Sequence, residues 1–108
     1  MDEIVHYTPD LQGNKSELFP GDAEVVILRD DPSTACATLL VRLPAGGRIE
    51  SHSHFGVVQH LVLSGQYESS GGVFQAGTYR VLPYAAEIPP ITSREGATIL
   101  ILYEPFKS

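Results

Sequence analysis

The sequence has few basic side chains and a single cysteine. Seven Lys and Arg residues against thirteen Asp and Glu residues give a formal charge of −6 over 108 residues. The basic residues occur singly, which excludes the cationic surface that a nucleic-acid backbone requires. Cys36 has no second cysteine to pair with, so an internal disulfide is excluded, which agrees with a reducing compartment.

Long apolar runs are also missing. The longest, ATILILY at 97–103, is far shorter than the roughly 20 residues of a membrane-spanning helix. The start, MDEIVHYTPD, is acidic and has no cationic segment followed by an apolar one, so we expect no signal peptide. These absences predict a cytoplasmic protein without a membrane span. A chain of this length is about one domain, so we look for one site.

No segment of useful length has the helical period. Instead, ten glycines and eight prolines divide the chain into short pieces rich in Val, Ile, Leu, Thr and Tyr, which is typical of strands. This pattern predicts an all-β, closed or double-sheet antiparallel barrel over 23–108, preceded by an irregular arm at 1–22. The predicted strands, about eight in number, are 23–30, 37–44, 48–54, 57–65, 66–70, 73–77, 78–83 and 97–105.

Three of the four histidines lie in the stretch RIESHSHFGVVQHLVLSG. Alternate residues of a strand share a face, so Glu50, His52 and His54 are predicted to point the same way. Two imidazoles at this spacing can bind one metal ion, and a third nitrogen or oxygen ligand would complete a catalytic-type site. On the next strand His60 shares a face with Val58, so His60 is expected near the pair. The alternative is a set of ordinary hydrogen-bonded histidines, because such a pair also arises by chance.

The spacing around these histidines resembles the two sequence motifs of the cupin superfamily. The first motif reads Gly, five residues, HxH, three or four residues, Glu, six residues, Gly; the second reads Gly, five residues, Pro, x, Gly, two residues, His. The residues in register are Gly46, His52, His54, Gly65, Gly77 and Pro83. The resemblance covers about residues 23–104. It implies a double-stranded β-barrel, the jelly roll, that holds a divalent metal such as Fe, Ni or Zn.

Two of the four usual metal ligands of that family are replaced here. Val58 stands at the position of the carboxylate, with Gln59 at the longer spacing, and Ile88 stands at the position of the last histidine. Two histidines alone hold a first-row metal weakly, so a third donor must come from elsewhere. The candidates are, in decreasing order, His60, Glu50, Gln59 and Glu87.

A small-molecule pocket is expected beside the histidines, because ligand sites are mostly apolar with a few placed polar groups. Ordinary packing is the alternative for its aromatic rings. The residues predicted to line it are Val58, Gln59, Tyr79, Tyr84, Glu87 and Ile88.

Three functions are compatible with the resemblance. The HxH pair without a carboxylate resembles cupin dioxygenases that cleave β-diketones or hydroxyketones at a three-histidine iron site. The same stretch resembles the cupin domain of zinc-binding anti-sigma factors, so a non-catalytic sensor of a metal or small ligand is the alternative. The third possibility is a structural remnant that acts through its dimer surface. We expect a homodimer, because free barrel edges and apolar sheet faces are usually covered.

Overall fold

The protein folds as a curled antiparallel β-barrel, which confirms the predicted all-β jelly roll. The structure is a computed structural model that describes residues 2–54, 56–83 and 85–105, with the backbone alone at 85–87. Within these ranges no helix has the length and apolar character needed to cross a membrane. The elements are a 3₁₀ turn at Thr8–Asp10 and the strands β1 (Glu24–Asp30), β2 (Ala37–Leu43), β3 (Gly47–Ile49), β4 (His52–His54), β5 (Gly56–Ser69), β6 (Gly72–Gln75), β7 (Tyr79–Leu82), β8 (Ala85–Ile88), β9 (Ile91–Ser93) and β10 (Ala97–Pro105).

Eight of these strands form one antiparallel sheet in the order β1-β2-β10-β5-β9-β3, with β6 and β7 also paired to β5. The long strand β5 curls the sheet, because its first half pairs with β10 and β7 and its second half pairs with β6 and β9. Gly65 lies at this transition with φ of +70°, and a Cβ there would lie 2.0 Å from the carbonyl oxygen of Gly96. Only glycine fits such a close approach. The remaining strands, β4 and β8, pair with each other.

The core fills the inside of the barrel. In β2 the alternate residues Leu39, Val41 and Leu43 belong to the core cluster, as the sequence predicts, whereas Leu40 between them is buried outside that cluster. Ile99 and Ile101 of β10 continue the same inner layer. Burying such side chains stabilises a fold by roughly 1.5–3 kcal/mol each, so this alternation sets which face of the sheet is inside.

The N-terminal arm is held against the barrel by Arg42. Its guanidinium donates hydrogen bonds to the carbonyl oxygens of Leu11 and Thr8 at 2.8 and 2.6 Å, and to the carboxylate of Glu24 at 3.0 Å. The arm also inserts Phe19 into the core. The boundary at residue 22 stays a prediction, and the arm contributes one wall of the histidine site.

Two strands and one break differ from the predicted pattern. The predicted strand 48–54 is interrupted because the backbone N–H of Glu50 donates to the carbonyl oxygen of Pro20 instead of a neighbouring strand. Its halves β3 and β4 therefore pair with different partners, β9 and β8. Strand β8 falls in the predicted loop 84–90 and β9 follows it, because pairing across the fold overrides the local signal of Pro89 and Pro90.

Candidate metal centre

The two histidines of β4 lie together on one side of the strand, as predicted. The ring centroids of His52 and His54 are 4.7 Å apart with an interplanar angle of 75°. Opposite them runs β8, where Ile88 pairs with His52 and Ala85 pairs with His54 across a register shift. The short strand brings two ring nitrogens close enough to serve one ligand.

His54 is a buried histidine to which no described residue forms a hydrogen bond. Its side chain is 5 % exposed and packs against the rings of Phe19 and Tyr103, at centroid distances of 5.3 and 5.4 Å. Neither ring nitrogen has a partner within the described part of the chain. Burial and the neighbouring His52 lower the pKa of His54 to about 4, so the ring is neutral near pH 7. An unsatisfied buried polar group costs roughly 1–3 kcal/mol, which points to a missing ligand.

His52 is oriented by the backbone. Its Nδ1 lies 2.8 Å from the carbonyl oxygen of Glu50, which can only accept, so Nδ1 carries a proton and donates it. In the neutral ring the lone pair is then on Nε2. Metal-ligating histidines are commonly held in this way, with the other ring N–H bonded to a carbonyl oxygen.

His60 is buried on β5 and bonded to a tyrosine. Its side chain is 3 % exposed, and its Nδ1 lies 2.8 Å from the hydroxyl oxygen of Tyr67. Arg80 donates to the same hydroxyl at 3.1 Å, and its guanidinium carbon lies 4.0 Å from the centroid of the Phe74 ring. Burial first, and then the charges of Arg80, His54 and His52, lower the pKa of His60 to about 3. Because the charges of His52 and His54 act on His60, the three rings lie near one another.

The three histidines do not close into a three-ligand cluster in the described residues, where no three His, Cys, Asp or Glu side chains converge on one point. His60 as the third ligand therefore stays a prediction. The nitrogens of His54, which have no partner among these residues, and Nε2 of His52 fit two ligand positions of a transition metal. Any further donor would have to come from a bound molecule, from a movement of His60, or from side chains that are not described.

The other predicted site residues lie at different depths. Val58 and Ile88 are buried inside the barrel. Gln59 and Tyr79 lie on the opposite face of the sheet from His60, where the hydroxyl of Tyr79 donates to the Gln59 amide and Tyr79 is 57 % exposed. Two predicted positions, Tyr84 and the side chain of Glu87, lie outside the described residues.

Glu50 is an exposed residue that is bonded to Arg48. Its carboxylate accepts a hydrogen bond from Arg48 at 2.8 Å, with more than half of the Glu50 side chain exposed. The strand break between β3 and β4 falls between Glu50 and His52, so the shared face of these two residues stays a prediction.

Three residues of the site were not found from the sequence: Phe19, Tyr67 and Arg80. Phe19 belongs to the irregular arm, where no periodicity indicates burial. Tyr67 is buried although strict alternation from His60 would place it outside. A register shift against β10, next to Gly65, reverses the alternation between the two residues. Arg80 is found only through the pairing of β7 with β5, which sets it opposite His60.

A cavity of about 770 Å³ adjoins the site between the arm and the barrel. Leu11, Val25 and Leu39 line it, and so does Tyr103, which packs on His54 with its other side. The volume lies in the range of small-molecule pockets, and the lining is mostly apolar.

Comparison with known proteins identifies relatives of the whole barrel. The sequence model of the ChrR cupin-like domain matches residues 15–107, whereas no curated protein sequence matches the chain. An acetylacetone dioxygenase from Acinetobacter johnsonii superposes with a TM-score of 0.82 at 21% identity, over 96% of this chain and 74% of that chain.

Two further solved structures are similar. In the complex of Rhodobacter sphaeroides SigE with the anti-sigma ChrR, the TM-score is 0.74 at 21% identity, over 91% of this chain and 52% of that chain. An RmlC-like cupin from Shewanella frigidimarina has a TM-score of 0.76 at 13% identity, over 99% of this chain and 95% of that chain. At such identities the likeness shows the fold alone.

Proposed function

The chain belongs to the family of ChrR cupin-like domains, and from this premise we propose that it binds a divalent first-row metal through His52 and His54. The observation that carries the proposal is His54, a buried imidazole whose two nitrogens have no partner among the described residues. A metal ion coordinated by such a ring gives its nitrogen lone pair a partner, and no further side chain is needed for this. Imidazole nitrogen suits Fe, Ni and Zn alike, so the choice among them stays open.

The chain's own residues prepare the pair for a metal. A ligand nitrogen must be free of a proton, and burial keeps His54 neutral near pH 7. The carbonyl of Glu50 holds the Nδ1 proton of His52, which leaves Nε2 as its donor atom. Phe19 packs edge-on against His52 and also contacts His54, so neither ring can rotate away freely.

A small molecule with two oxygen donors is the proposed partner of the metal. Two protein ligands leave several coordination positions open, and a β-diketone or hydroxyketone can fill two of them at once. When bound, the metal supplies Lewis-acid chemistry to such a ligand. The apolar cavity bordered by Leu39 and Tyr103 offers space for the carbon skeleton. The acetylacetone dioxygenase relative supports this substrate class and the oxidative cleavage of a diketone as the activity.

A non-catalytic sensor is the second candidate. The ChrR relative, an anti-sigma protein, supports it, as does the loss of the carboxylate and last histidine at Val58 and Ile88. In this candidate the pair holds a metal or small ligand without turnover. The homodimer and the cytoplasmic location stay predictions for both candidates.

Elemental analysis of the purified chain tests the metal site. We expect near-stoichiometric Fe, Ni or Zn in the wild type and almost none in a His52→Ala, His54→Ala double variant. His6→Ala is the matched control, because His6 is exposed on the arm and its ring bonds to the carbonyl of Leu28. Equal metal content in the double variant and the wild type would refute the site.

Oxygen consumption separates the two candidates. Loaded with iron, the protein is expected to consume oxygen with acetylacetone, and the double variant is not. Metal retention without oxygen consumption across a panel of diketones and hydroxyketones would favour the sensor.

A further inference from the structure

Three side chains form a buried hydrogen-bonded chain beside the histidine pair. Arg80 donates to the Tyr67 hydroxyl at 3.1 Å, and that hydroxyl lies 2.8 Å from Nδ1 of His60. Tyr67 is 0% exposed, so water does not substitute for these partners. The direction in which these groups donate their hydrogen bonds determines which nitrogen of His60 carries the proton.

The hydroxyl of Tyr67 has one proton to donate and needs an acceptor for it. Arg80 has only donors, so it cannot accept that proton. Among the described residues the remaining neighbour is Nδ1 of His60. The reverse arrangement, with Nδ1–H donating to the hydroxyl, leaves a buried O–H without an acceptor, which folded proteins avoid. Tyr67 therefore donates to Nδ1.

His60 then has its proton on Nε2. Burial and the nearby positive charge of Arg80 keep the ring neutral, so it carries one N–H only. With Nδ1 as acceptor, that N–H is on Nε2. The described residues give this nitrogen no hydrogen-bond partner, and it is not among their fully buried unpartnered atoms, which are the two nitrogens of His54. The Nε2–H group is therefore open to a bound molecule and is a donor without a protein acceptor among the described residues.

The charge around His60 favours an anionic acceptor. Arg80 forms no ion pair with a carboxylate in the described residues, and its contacts are the Tyr67 hydroxyl and the rings of Tyr67 and Phe74. Within the described part of the chain, no carboxylate neutralises its positive charge. A hydrogen bond to a charged oxygen is roughly twice as strong as one between neutral groups.

We propose that His60 is a hydrogen-bond donor to an anionic oxygen of the bound small molecule, an enolate or a carboxylate, and is not a metal ligand. Tyr67 and Arg80 are positioning residues that hold His60 in the Nε2–H tautomer. A metal ligand needs a lone pair on the nitrogen, and the Tyr67 proton occupies Nδ1 while Nε2 bears hydrogen. The proposal depends on the proposed function in one respect: the metal on His52 and His54 is what holds the small molecule next to His60.

Nitrogen NMR of the full, ¹⁵N-labelled, metal-free chain tests the tautomer directly. His60 is expected to show an acceptor-type Nδ1 and a protonated Nε2. Tyr67→Phe removes only the hydroxyl, and we expect it to abolish this preference and give mixed or inverted tautomers. Tyr79→Phe is the matched control, because its hydroxyl bonds to Gln59 on the other face of the sheet. A protonated Nδ1 in the wild type, or an unchanged tautomer in Tyr67→Phe, would overturn the proposal.

Titration with Zn²⁺, followed by nitrogen NMR, tests whether His60 coordinates the metal. Nitrogen signals of His52 and His54 are expected to shift to metal-bound positions while those of His60 do not. A metal-bound signal on His60 would overturn the proposal. If no histidine signal shifts, the proposed metal site is refuted. The tautomer of His60 in the metal-free chain still tests the role of Tyr67 in that case.

Calorimetric titration of the Zn²⁺-loaded chain with acetylacetone tests whether His60 donates a hydrogen bond to the bound molecule. His60→Ala is expected to lose about tenfold in affinity, the size of one charge-assisted hydrogen bond, and His60→Gln to recover most of it because its amide also donates. Zn²⁺ affinity is expected to stay within about twofold in both variants. Equal acetylacetone affinity in wild type and His60→Ala would refute the donor role. If the chain does not bind Zn²⁺, the same acetylacetone titration of the metal-free wild type and His60→Ala makes this comparison.

Discussion

The hydroxyl of Tyr67 lies 2.8 Å from Nδ1 of His60, although the two residues are seven positions apart on one strand. Residues an odd number apart on a regular strand face opposite sides of the sheet. The register shift against β10 and Gly65, with φ of +70°, turn the strand over between them. The two side chains meet inside the barrel for this reason.

Replacing His54 with leucine is expected to stabilise the metal-free protein while abolishing metal binding. The substitution removes two buried nitrogens that have no partner among the described residues and introduces an apolar side chain of similar size. We expect the free energy of unfolding in urea, measured with a chelator present, to rise by about 1 kcal/mol. His6→Leu on the exposed arm serves as control and is expected to change it little. A loss of stability in His54→Leu would show that the imidazole already has a partner.

Stability of the metal-free protein is expected to fall as pH is lowered from about 7 to about 5. The folded pKa values of His54 and His60, about 4 and about 3, lie below the ordinary 6.5, so protons bind the unfolded chain first. Stability is therefore complete above about pH 6.5 and declines below it, by about 2 kcal/mol per histidine down to pH 5.

Urea denaturation at several pH values checks this, with His60→Gln as the comparison. The variant is expected to lose about half of the pH dependence, because one of the two buried imidazoles no longer titrates. A flat profile between pH 7 and pH 5 would contradict the neutral burial of both rings.

Arg42→Lys is expected to release the N-terminal arm. A lysine keeps the charge but cannot donate to Thr8, Leu11 and Glu24 together, as the planar guanidinium does. We expect faster proteolysis within the arm and a loss of about 1–2 kcal/mol in the free energy of unfolding. Arg94→Lys, at an exposed position, is the control. Unchanged proteolysis would mean that the other contacts of the arm, among them Phe19 in the core and the backbone bonds between Asn14 and Val25, are sufficient to hold it.

Gly65→Ala is expected to destabilise the protein by roughly 3 kcal/mol or more. The new Cβ would lie 2.0 Å from the carbonyl oxygen of Gly96 and would sit on a left-handed backbone. Gly71→Ala separates the two effects, because Gly71 has a similar φ of +79° and nothing within 4 Å. There we expect only the conformational cost of about 1–2 kcal/mol. Thermal denaturation of both variants measures the difference, and equal losses would exclude the steric contact.

Most of the fold could be predicted from local patterns. The alternation of Leu39, Val41 and Leu43, and the turn residues between short apolar pieces, indicate strands without reference to the rest of the chain. Strands β8 and β9 could not be found in this way, since Pro83, Pro89 and Pro90 dominate their local signal. Their pairing with β4 and β3 depends on residues more than thirty positions away.

The candidate site was predicted in part. His52 and His54 share a side because the two-residue period of a strand requires it, whatever partner the strand has. The role of His60 could not be predicted, because it depends on Tyr67 across a register shift and on Arg80 from another strand. No local pattern in the sequence indicates either contact.

By itself, the sequence determined a barrel of short strands and the convergence of two imidazoles on one strand face. Both follow from backbone geometry, which repeats every two residues and needs no distant contact. Only the tertiary structure decided that His54 would be buried with no partner in the part of the chain that the structure describes, and that His60 would be bonded to Tyr67. Register, bulges and the course of the arm set those outcomes, and they arise from the packing of segments far apart in the chain.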